Sequence, residues 1–384
     1  MNSLGLSGNP ADHRVVVAMS GGVDSSVTAA LLKEEGFDVV GITLQLYDHG
    51  AAIQKKGACC AGQDIVDARE VAAELGIPHY VLDYENRFRQ SVMDDFVDSY
   101  LSGQTPIPCV RCNQTVKFRD LLATAKDLGA KVMATGHYVR RVEGPSGPEL
   151  RRGTDLAKDQ SYFLFATTPE QLDFLRFPLG NLNKEKTRQV AERHGLRIYN
   201  KPDSQDICFV PEGRYVDVIK KLRPGAIEPG DIIHVDGRVM GRHQGLIHFT
   251  VGQRRGLGLS NHEPLYVVAL DPTNQRVIVG PKHALNVPEI VVKDINWLID
   301  PTLVRDGLPM RIKIRSLHSG ATVRVFVRGD GRARVVLDEP EAGVAPGQAA
   351  VFYDHEEMDQ VLGGGWIEAA ENAASKLEQR PANA

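Results

Sequence analysis

The strongest constraint on this chain is the passage from Val15 to Gly36. An apolar run, Val15-Val16-Val17-Ala18, meets the turn Met19-Ser20-Gly21-Gly22-Val23-Asp24-Ser25-Ser26. A helical pattern, Val27-Thr28-Ala29-Ala30-Leu31-Leu32, follows and stops at Gly36. That order reads strand, glycine turn, helix, the opening of a βα unit. Two adjacent glycines let the backbone turn sharply and approach a ligand with no Cβ in the way. The hydroxyls of Ser25 and Ser26 fall where the new helix leaves its first amides unpaired, and such an end attracts anions. The stretch reads as a phosphate cradle. It lacks the lysine of a Walker A loop, and no G-x-G-x-x-G opens its helix.

The pattern then repeats. Asp38 to Leu46 reads as a buried strand, Asp64 to Leu75 as a helix capped by Gly76, and His79 to Asp83 as a third strand. Helices are expected over Phe88 to Tyr100 and Thr115 to Leu128, then a fourth strand, Lys131 to Thr135, leading into Gly136-His137-Tyr138. Alternation of this kind predicts an α/β fold, a doubly wound parallel sheet with helices on both faces. Ligands then bind beyond the carboxyl ends of the strands, where Ser20–Ser26, Leu44 and Gly136 fall. Gly144 to Pro148 reads as a loop, and Lys201 to Val210 as a polar loop running into a short strand. From Gly230 the chain turns to short β-runs between Gly, Pro and Asp turns, and from Ile290 that pattern recurs, predicting two small β-barrel-like modules. The expected division is a flexible start, 1–12; a catalytic domain, 13–222; a central β-rich domain, 223–288; a C-terminal β-barrel, 289–370; and a flexible tail, 371–384.

A chain of 384 residues is long for one domain, and 42% hydrophobic with 24% charged residues is ordinary for a soluble globular protein. The net charge of −4 does not advertise a nucleic-acid binder, though local basic patches act through their own field. No apolar run approaches a membrane span, and the start lacks the basic and apolar regions of a signal peptide, so a cytoplasmic location without a membrane partner is expected. Five cysteines are too few for a disulfide framework at this length, and metal or catalytic roles are better readings.

Cys109-Val110-Arg111-Cys112 is a C-x-x-C expected in a loop between two helices, with Arg111 and Lys117 near enough to favour a thiolate. Cys208 lies almost a hundred residues later. Distant cysteines that meet near a nucleotide site could carry sulfur as a persulfide and resolve as a disulfide. Zinc would want a second C-x-x-C, which is absent, whereas a three-cysteine iron–sulfur site from Cys109, Cys112 and Cys208 stays open. Cys59-Cys60 has no spacing with a fixed mechanism.

Ser20-Gly21-Gly22-Val23-Asp24-Ser25 resembles the PP-loop of enzymes that cleave ATP to AMP and pyrophosphate, the adenine nucleotide alpha hydrolase-like ATP pyrophosphatases. With Cys112–Phe118, Ala134–Tyr138, Lys158–Leu164, Asp203–Phe209, Phe249–Leu257 and Pro346-Gly347-Gln348, in that order, the chain resembles the bacterial tRNA-uridine 2-sulfurtransferases (tRNA-specific 2-thiouridylases, MnmA or TrmU). The resemblance implies that ATP adenylates the C2 oxygen of the wobble uridine in the anticodon arm of a tRNA. Persulfide sulfur then replaces AMP to give 2-thiouridine.

By that analogy Ala18, Met19, Ser20, Gly21, Gly22, Val23, Asp24, Ser25, Leu44 and Gly136 bind ATP, and Asp24 helps hold Mg2+ or pyrophosphate. Cys208 carries the persulfide and Cys112 is the nucleophile, the two passing through a transient disulfide, while Asn113 helps position Cys112. His137, Lys158, Asp159, Gln160 and Gln348 contact tRNA, within a catalytic domain that includes a helical tRNA-binding insert. A cysteine desulfurase or sulfur-relay protein supplies the sulfur. Many relatives carry Asn-Pro-Asp where this chain has Ile107-Pro108-Cys109, and this departure is what admits the iron–sulfur variant. Further basic candidates for phosphate contact are Arg151-Arg152, Lys184, Lys186, Arg188, Arg254-Arg255, Arg311, Lys313 and Arg315. The competing reading is another PP-loop ligase that adenylates a carboxylic acid, which would need neither paired cysteines nor β-rich RNA arms.

Overall fold

The computed structural model describes residues 1–47, 60–203, 207–210, 214–304 and 307–372, with side chains from residue 62 in the second stretch. These residues form two compact units. The first takes the described residues of 1–92, 109–212 and 359–361; the second takes those of 93–108, 213–358 and 362 onward.

The first unit is built on parallel strands β1 (Arg14–Ala18), β2 (Asp38–Gln45), β3 (His79–Asp83) and β4 (Val132–Thr135). Val15, Val16 and Val17 are wholly buried, as expected of a strand covered on both faces. A hairpin follows, β5 (Val139–Gly144) and β6 (Gly147–Arg152), where the sequence suggests only a loop; Pro145-Ser146 is its turn, and Gly147 takes the positive φ of 126°. A fifth parallel strand, β7 (Leu175–Arg176), is two residues long, too short to show a period in sequence. The strand order is β3-β2-β1-β4-β7. The order reverses direction at β1, with β2 on one side and β4 on the other, and that switch point opens the crevice where such sheets bind ligands. Helix α1 (Val23–Glu34) leaves β1 through the glycine turn and packs Val27, Ala29, Ala30 and Leu32 into the core. Helix α2 (Cys60–Leu75) is closed by Gly76 at φ 62°.

Two local expectations change. The C-x-x-C is helical rather than looped: Pro108–Arg111 is α-helix, Cys112–Leu121 is π-helix, and Leu122–Asp127 returns to α. Pro108 stands at the first helical position, where its fixed φ and missing N–H suit a helix start. The segment after Asp203 is no strand where it is described: Ile207–Val210 is a turn closed by the Val210 N–H on the Ile207 carbonyl at 2.9 Å. Phe209 serves as a buried anchor instead, edge-on to Phe88 at 5.6 Å.

The second unit holds a four-stranded sheet in the order β10-β11-β8-β9 and a closed barrel, β12-β15-β14-β13-β16-β17. The sheet uses β8 (Gly230–His234), β9 (Val239–His243), β10 (Tyr266–Asp271) and β11 (Arg276–Gly280). The barrel uses β12 (Asn286–Trp297), β13 (Leu308–Lys313), β14 (Ala321–Val327), β15 (Ala333–Ala342), β16 (Ala349–Tyr353) and β17 (Val361–Ala370), around a core that includes Ile290, Met310, Val323, Val335 and Phe352. Closing the sheet removes edges that would otherwise template pairing with other chains.

Candidate active site

The glycine turn is wired to leave its amides free. Gly22 precedes α1 with no side-chain cap, and the Ser25 and Ser26 hydroxyls donate back to the Gly22 carbonyl at 3.2 and 3.0 Å. The Ser20 N–H bonds Ser25 Oγ at 3.1 Å, which folds the turn over the helix start. Gly21 is required twice over: its φ is +73°, and a Cβ there would stand 2.1 Å from the Asp64 carbonyl oxygen of α2. Gly136, after β4, presses on the same helix start, since a Cβ would lie 2.7 Å from both Asp24 C and Ser25 N. Ala18 ends β1, and buried Met19 extends its pairing with a 2.8 Å N–H bond to the Ile42 carbonyl. Leu44 is half-buried near the end of β2. Val23 opens α1 in the core. The turn has the features of an anion cradle: a helix N-terminus without a side-chain cap, no Cβ at the approach, and one carboxylate, Asp24, of the kind that suits a Mg2+ accompanying phosphates.

Asp24 is engaged from the far side. Lys184 Nζ donates to its Oδ1 and Oδ2 at 2.7 and 2.9 Å, and the Tyr138 hydroxyl donates to Oδ1 at 2.8 Å. Burial and the Asp24 charge push the Tyr138 phenol well above its ordinary value, so it is a fixed donor. Lys184 also reaches Asp203 at 2.8 Å, which Lys158 holds at 2.8 Å and Arg188 at 3.0 Å. Partial burial opposes ionisation of Asp203, but the bonds from Lys158 and Lys184 win and draw it down to about 2.

The three described cysteine thiols, Cys109, Cys112 and Cys208, are free; Cys59 and the side chain of Cys60 lie outside the described residues. All three thiols belong to the first unit. Burial pushes Cys109 and Cys112 up, with Lys117 only partly opposing. Burial also raises Cys208, with the charges of Cys112 and Cys109 adding, to about 12. The thiolate expected from nearby positive charge is therefore not the resting form: desolvation outweighs Lys117, and Arg111 turns instead to Gln114 at 3.3 Å. Among the described residues no three His, Cys, Asp or Glu side chains gather as a metal-ligand group, so the cysteines as placed do not fit an iron–sulfur cluster.

Buried Asn113 donates to the Phe163 carbonyl at 3.2 Å, while its Oδ1 has no partner among the described residues. His137, next to Gly136, bonds Thr135 Oγ1 through Nδ1 at 2.8 Å and meets Phe118 edge-on; burial first, then Lys117, lowers it to about 3, so its imidazole is neutral.

The expected RNA contacts divide. The Lys158 side chain is 41% exposed. The Asp159 carboxylate is only 2% exposed and is spent internally, on Arg152 at 3.0 Å and on the N–H groups of Gly153 and Ser161 at 3.1 Å. Gln160 Oε1 accepts the Tyr138 N–H at 2.9 Å. In the second unit, Gln348 Nε2 donates to the Thr105 carbonyl at 2.9 Å. Arg151, Arg152, Lys184 and Arg188 all pair with carboxylates of the first unit, whereas Arg254 and Arg255 are exposed, and Arg254 lines a cavity of about 320 Å³.

Sequence reasoning missed Lys201. Its Nζ donates to the Gly21 carbonyl at 2.9 Å, to Asp64 at 2.7 Å and to Asp67. The only signal was its place in Lys201-Pro202, immediately ahead of the motif Asp203–Phe209 that contains Cys208.

Family models match in series along the chain: a tRNA methyl transferase HUP domain over residues 13–212, a tRNA methyl transferase PRC-barrel domain over 216–281, and an aminomethyltransferase β-barrel domain over 287–367. A tRNA-specific 2-thiouridylase MnmA from Maricaulis maris is 65% identical over 364 residues, covering 95% of this chain and 89% of the relative. The chain belongs to the tRNA-specific 2-thiouridylase family. Members from Rhodospirillum centenum and Parvibaculum lavamentivorans are 63% and 62% identical, covering 99% and 97% of this chain and 98% and 95% of their own lengths. The domain descriptions speak of methyl transfer, but the full-length 2-thiouridylases carry the name that fits the paired cysteines. A solved 4-thiouridine synthetase–RNA complex with bound ATP is 14% identical, with a TM-score of 0.33 across 56% of this chain and 51% of that one, too distant to carry an argument.

Proposed function

We propose that the protein uses ATP to thiolate C2 of the wobble uridine in tRNA, forming 2-thiouridine, AMP and pyrophosphate. Membership of the 2-thiouridylase family, with Cys112 and Cys208 both in the unit that carries the phosphate cradle, supports this reading. A uracil carbonyl oxygen is a poor leaving group. Transfer of AMP to O2, with pyrophosphate leaving, makes it a good one. Amides of residues 21–25 neutralise the phosphates as charge shifts to the departing pyrophosphate, while Leu44 and Gly136 line the adenosine side. Bound Mg2+ at Asp24 would supply Lewis-acid charge neutralisation there.

Cys208 holds the donated sulfur as a persulfide. Cys112 attacks the Cys208 sulfur, the terminal sulfur is released to C2, AMP departs, and a Cys112–Cys208 disulfide is left. Two electrons from a cellular dithiol must reduce that disulfide before the next turnover. His137, Lys158, Gln160 and Gln348, with backbone at Asp159, contact the anticodon arm, whose target base must be splayed out of its stack. The persulfide donor is a cysteine desulfurase or relay protein, and the setting is cytoplasmic.

Single-turnover thiolation of unmodified tRNA by iron-free protein, with ATP, Mg2+ and a persulfide donor, tests the reading. Activity should vanish in Cys208→Ser and Cys112→Ser and persist in Cys109→Ser. Activity that needs bound iron and fails in Cys109→Ser would overturn the sulfur chemistry. Adenylation of a small carboxylic acid in place of tRNA would overturn the substrate.

A further inference from the structure

The residues that begin at Cys112 do not continue the α-helix that leads into them. Pro108–Arg111 and Leu122–Asp127 are α-helical, but the ten residues Cys112–Leu121 between them are a π-helix. The π register is rare, is mostly confined to single turns and is frequent at functional sites, so a run of this length calls for a physical reason. Register decides which side chains share a face. In an α-helix of 3.6 residues per turn, Cys112 and Lys117 would stand about 140° apart around the axis. Bonding from i to i+5 closes a turn between them instead, so Lys117 follows Cys112 on the same side. The same change sets Phe118 behind Asn113; Phe118 meets the His137 ring edge-on, and Asn113 donates to the Phe163 carbonyl.

Lys117 is also set apart from the other sheltered lysines of this unit. It is half-buried, and among the described residues it has neither a carboxylate nor a hydrogen-bond partner. Lys184 and Lys201, likewise half-buried, each hold two carboxylates. A charge drawn away from water without a partner costs stability. Lys117 favours ionisation of Cys109, Cys112 and Cys208, and for Cys112 it is the strongest influence after burial. For Cys208 the neighbouring thiols weigh more. A rare helix register and a cation without a partner thus converge on the Cys112 sulfur.

We propose that the π-helical register of Cys112–Leu121 holds Lys117 as a positioning residue for Cys112, an unpaired cation kept for the charge that this sulfur takes on when it reacts. The inference rests on the sulfur-transfer reading given above. In that step the Cys112 thiol gives its proton to solvent and its sulfur attacks the Cys208 sulfur. The bond from Cys208 to the terminal sulfur breaks as the Cys112–Cys208 bond forms, and the terminal sulfur takes the electron pair. The negative charge therefore starts on Cys112, where a lysine already claimed by a carboxylate would do little to balance it.

The test is residue-resolved alkylation of Cys112 in the full-length protein by iodoacetamide at pH 8, read by peptide mass spectrometry across a charge series at position 117. Removing a close opposite charge raises a thiol by at least about one pKa unit, which cuts the thiolate about tenfold. A Brønsted slope of about 0.4–0.5 returns roughly threefold, so Lys117→Met should slow alkylation at least about threefold and Lys117→Glu about tenfold. Lys117→Arg should stay near native; arginine is the bulkier replacement, so a rate kept by Arg and lost by Met reports charge and not access. Register is tested by combining Lys117→Met with Thr115→Lys. Residues three apart are neighbours on an α-helix but face apart in the i→i+5 register, so the moved lysine should not restore the rate. Single-turnover thiolation of tRNA should fall in the same order as alkylation. Should Lys117→Met fail to fold, Lys117→Gln takes its place. Equal alkylation rates across the folded series, or recovery by the lysine at position 115, overturn the proposal. Native protein whose alkylation follows the series yet which does not thiolate tRNA overturns the sulfur-transfer reading alone.

Discussion

Cys208 offers the sharpest quantitative check. Burial and the neighbouring thiols raise it from an ordinary 9.0 to about 12. At pH 8 that shift cuts the thiolate fraction about 1000-fold. A more basic thiolate is also a better nucleophile; with a Brønsted slope of about 0.4–0.5, three units return roughly 15- to 30-fold. Depletion wins, so Cys208 should exchange with a small disulfide about 30- to 60-fold more slowly than a cysteine in an unstructured peptide. The residue has exposed surface while its sulfur is crowded enough to be desolvated, so the pH dependence, and not the absolute rate, separates protonation from shielding. The sign in pH follows: the peptide rate levels off as pH passes about 9, whereas the Cys208 rate keeps rising tenfold per unit to pH 10 and beyond. Peptide mass spectrometry across pH 7–10 measures both. A Cys208 rate that matches the peptide, or levels off below pH 9, refutes the argument that desolvation outweighs Lys117 at this site.

Gly136→Ala places a Cβ 2.7 Å from backbone atoms of Asp24 and Ser25, so the start of α1 must move, and calorimetry should show ATP-analogue affinity down at least about tenfold, as misplacement of a binding group by an ångström does. Asp203, held at about 2 against an ordinary 3.8, contributes stability that is present above pH 4 and lost as pH falls through 2; Asp203→Asn should lose about 2 kcal/mol at pH 7 by denaturant titration and show a correspondingly flatter acid limb. Tyr138→Phe removes the phenol's bonds to Asp24 and Thr187, and thermal unfolding should register a loss of about 1–2 kcal/mol. Arg254→Ala with Arg255→Ala should weaken tRNA binding uniformly across sequences and reduce the salt slope of log affinity by roughly 1.5, the signature of two lost phosphate contacts; an unchanged slope removes them from the RNA surface.

What was legible in sequence was what acts locally. Three buried valines, two glycines and a helical period sufficed for the βα unit, and β-runs such as Ala321–Val327 and Ala349–Tyr353 announced themselves by composition and turn spacing. What failed needed partners far along the chain. The hairpin β5–β6 hid behind a turn rich in glycine and proline, and β7 is too short for any period. The C-x-x-C looked like a loop because its α-helix is a single four-residue turn opened by Pro108, which passes at Cys112 into a π-helical run without the 3.6-residue period. Charge was the largest blind spot. Lys184 and Arg188 read as RNA contacts from their spacing, but Asp24 and Asp203 claim them from 160 and 15 residues away.

Desolvation would also keep Cys208, in its proposed role as sulfur carrier, inert at rest. Oxidation and exchange follow thiolate character and access, so an exposed Cys208 ionised at rest would be lost to any passing disulfide or peroxide. Protonation is its protection, and the cost is that the carrier is unreactive until its surroundings change. Lys117 favours ionisation of all three thiols, opposing desolvation without overcoming it, and adds to the desolvation that keeps His137 neutral. A small increase in solvent access to Cys208 would weaken the desolvation that raises its pKa and let that cation count for more. Lys117→Met should therefore slow the exchange of Cys208 only slightly, because desolvation already dominates the balance. A loss of rate as large as the one that burial imposes would show that the cation, and not desolvation, sets the state of this thiol.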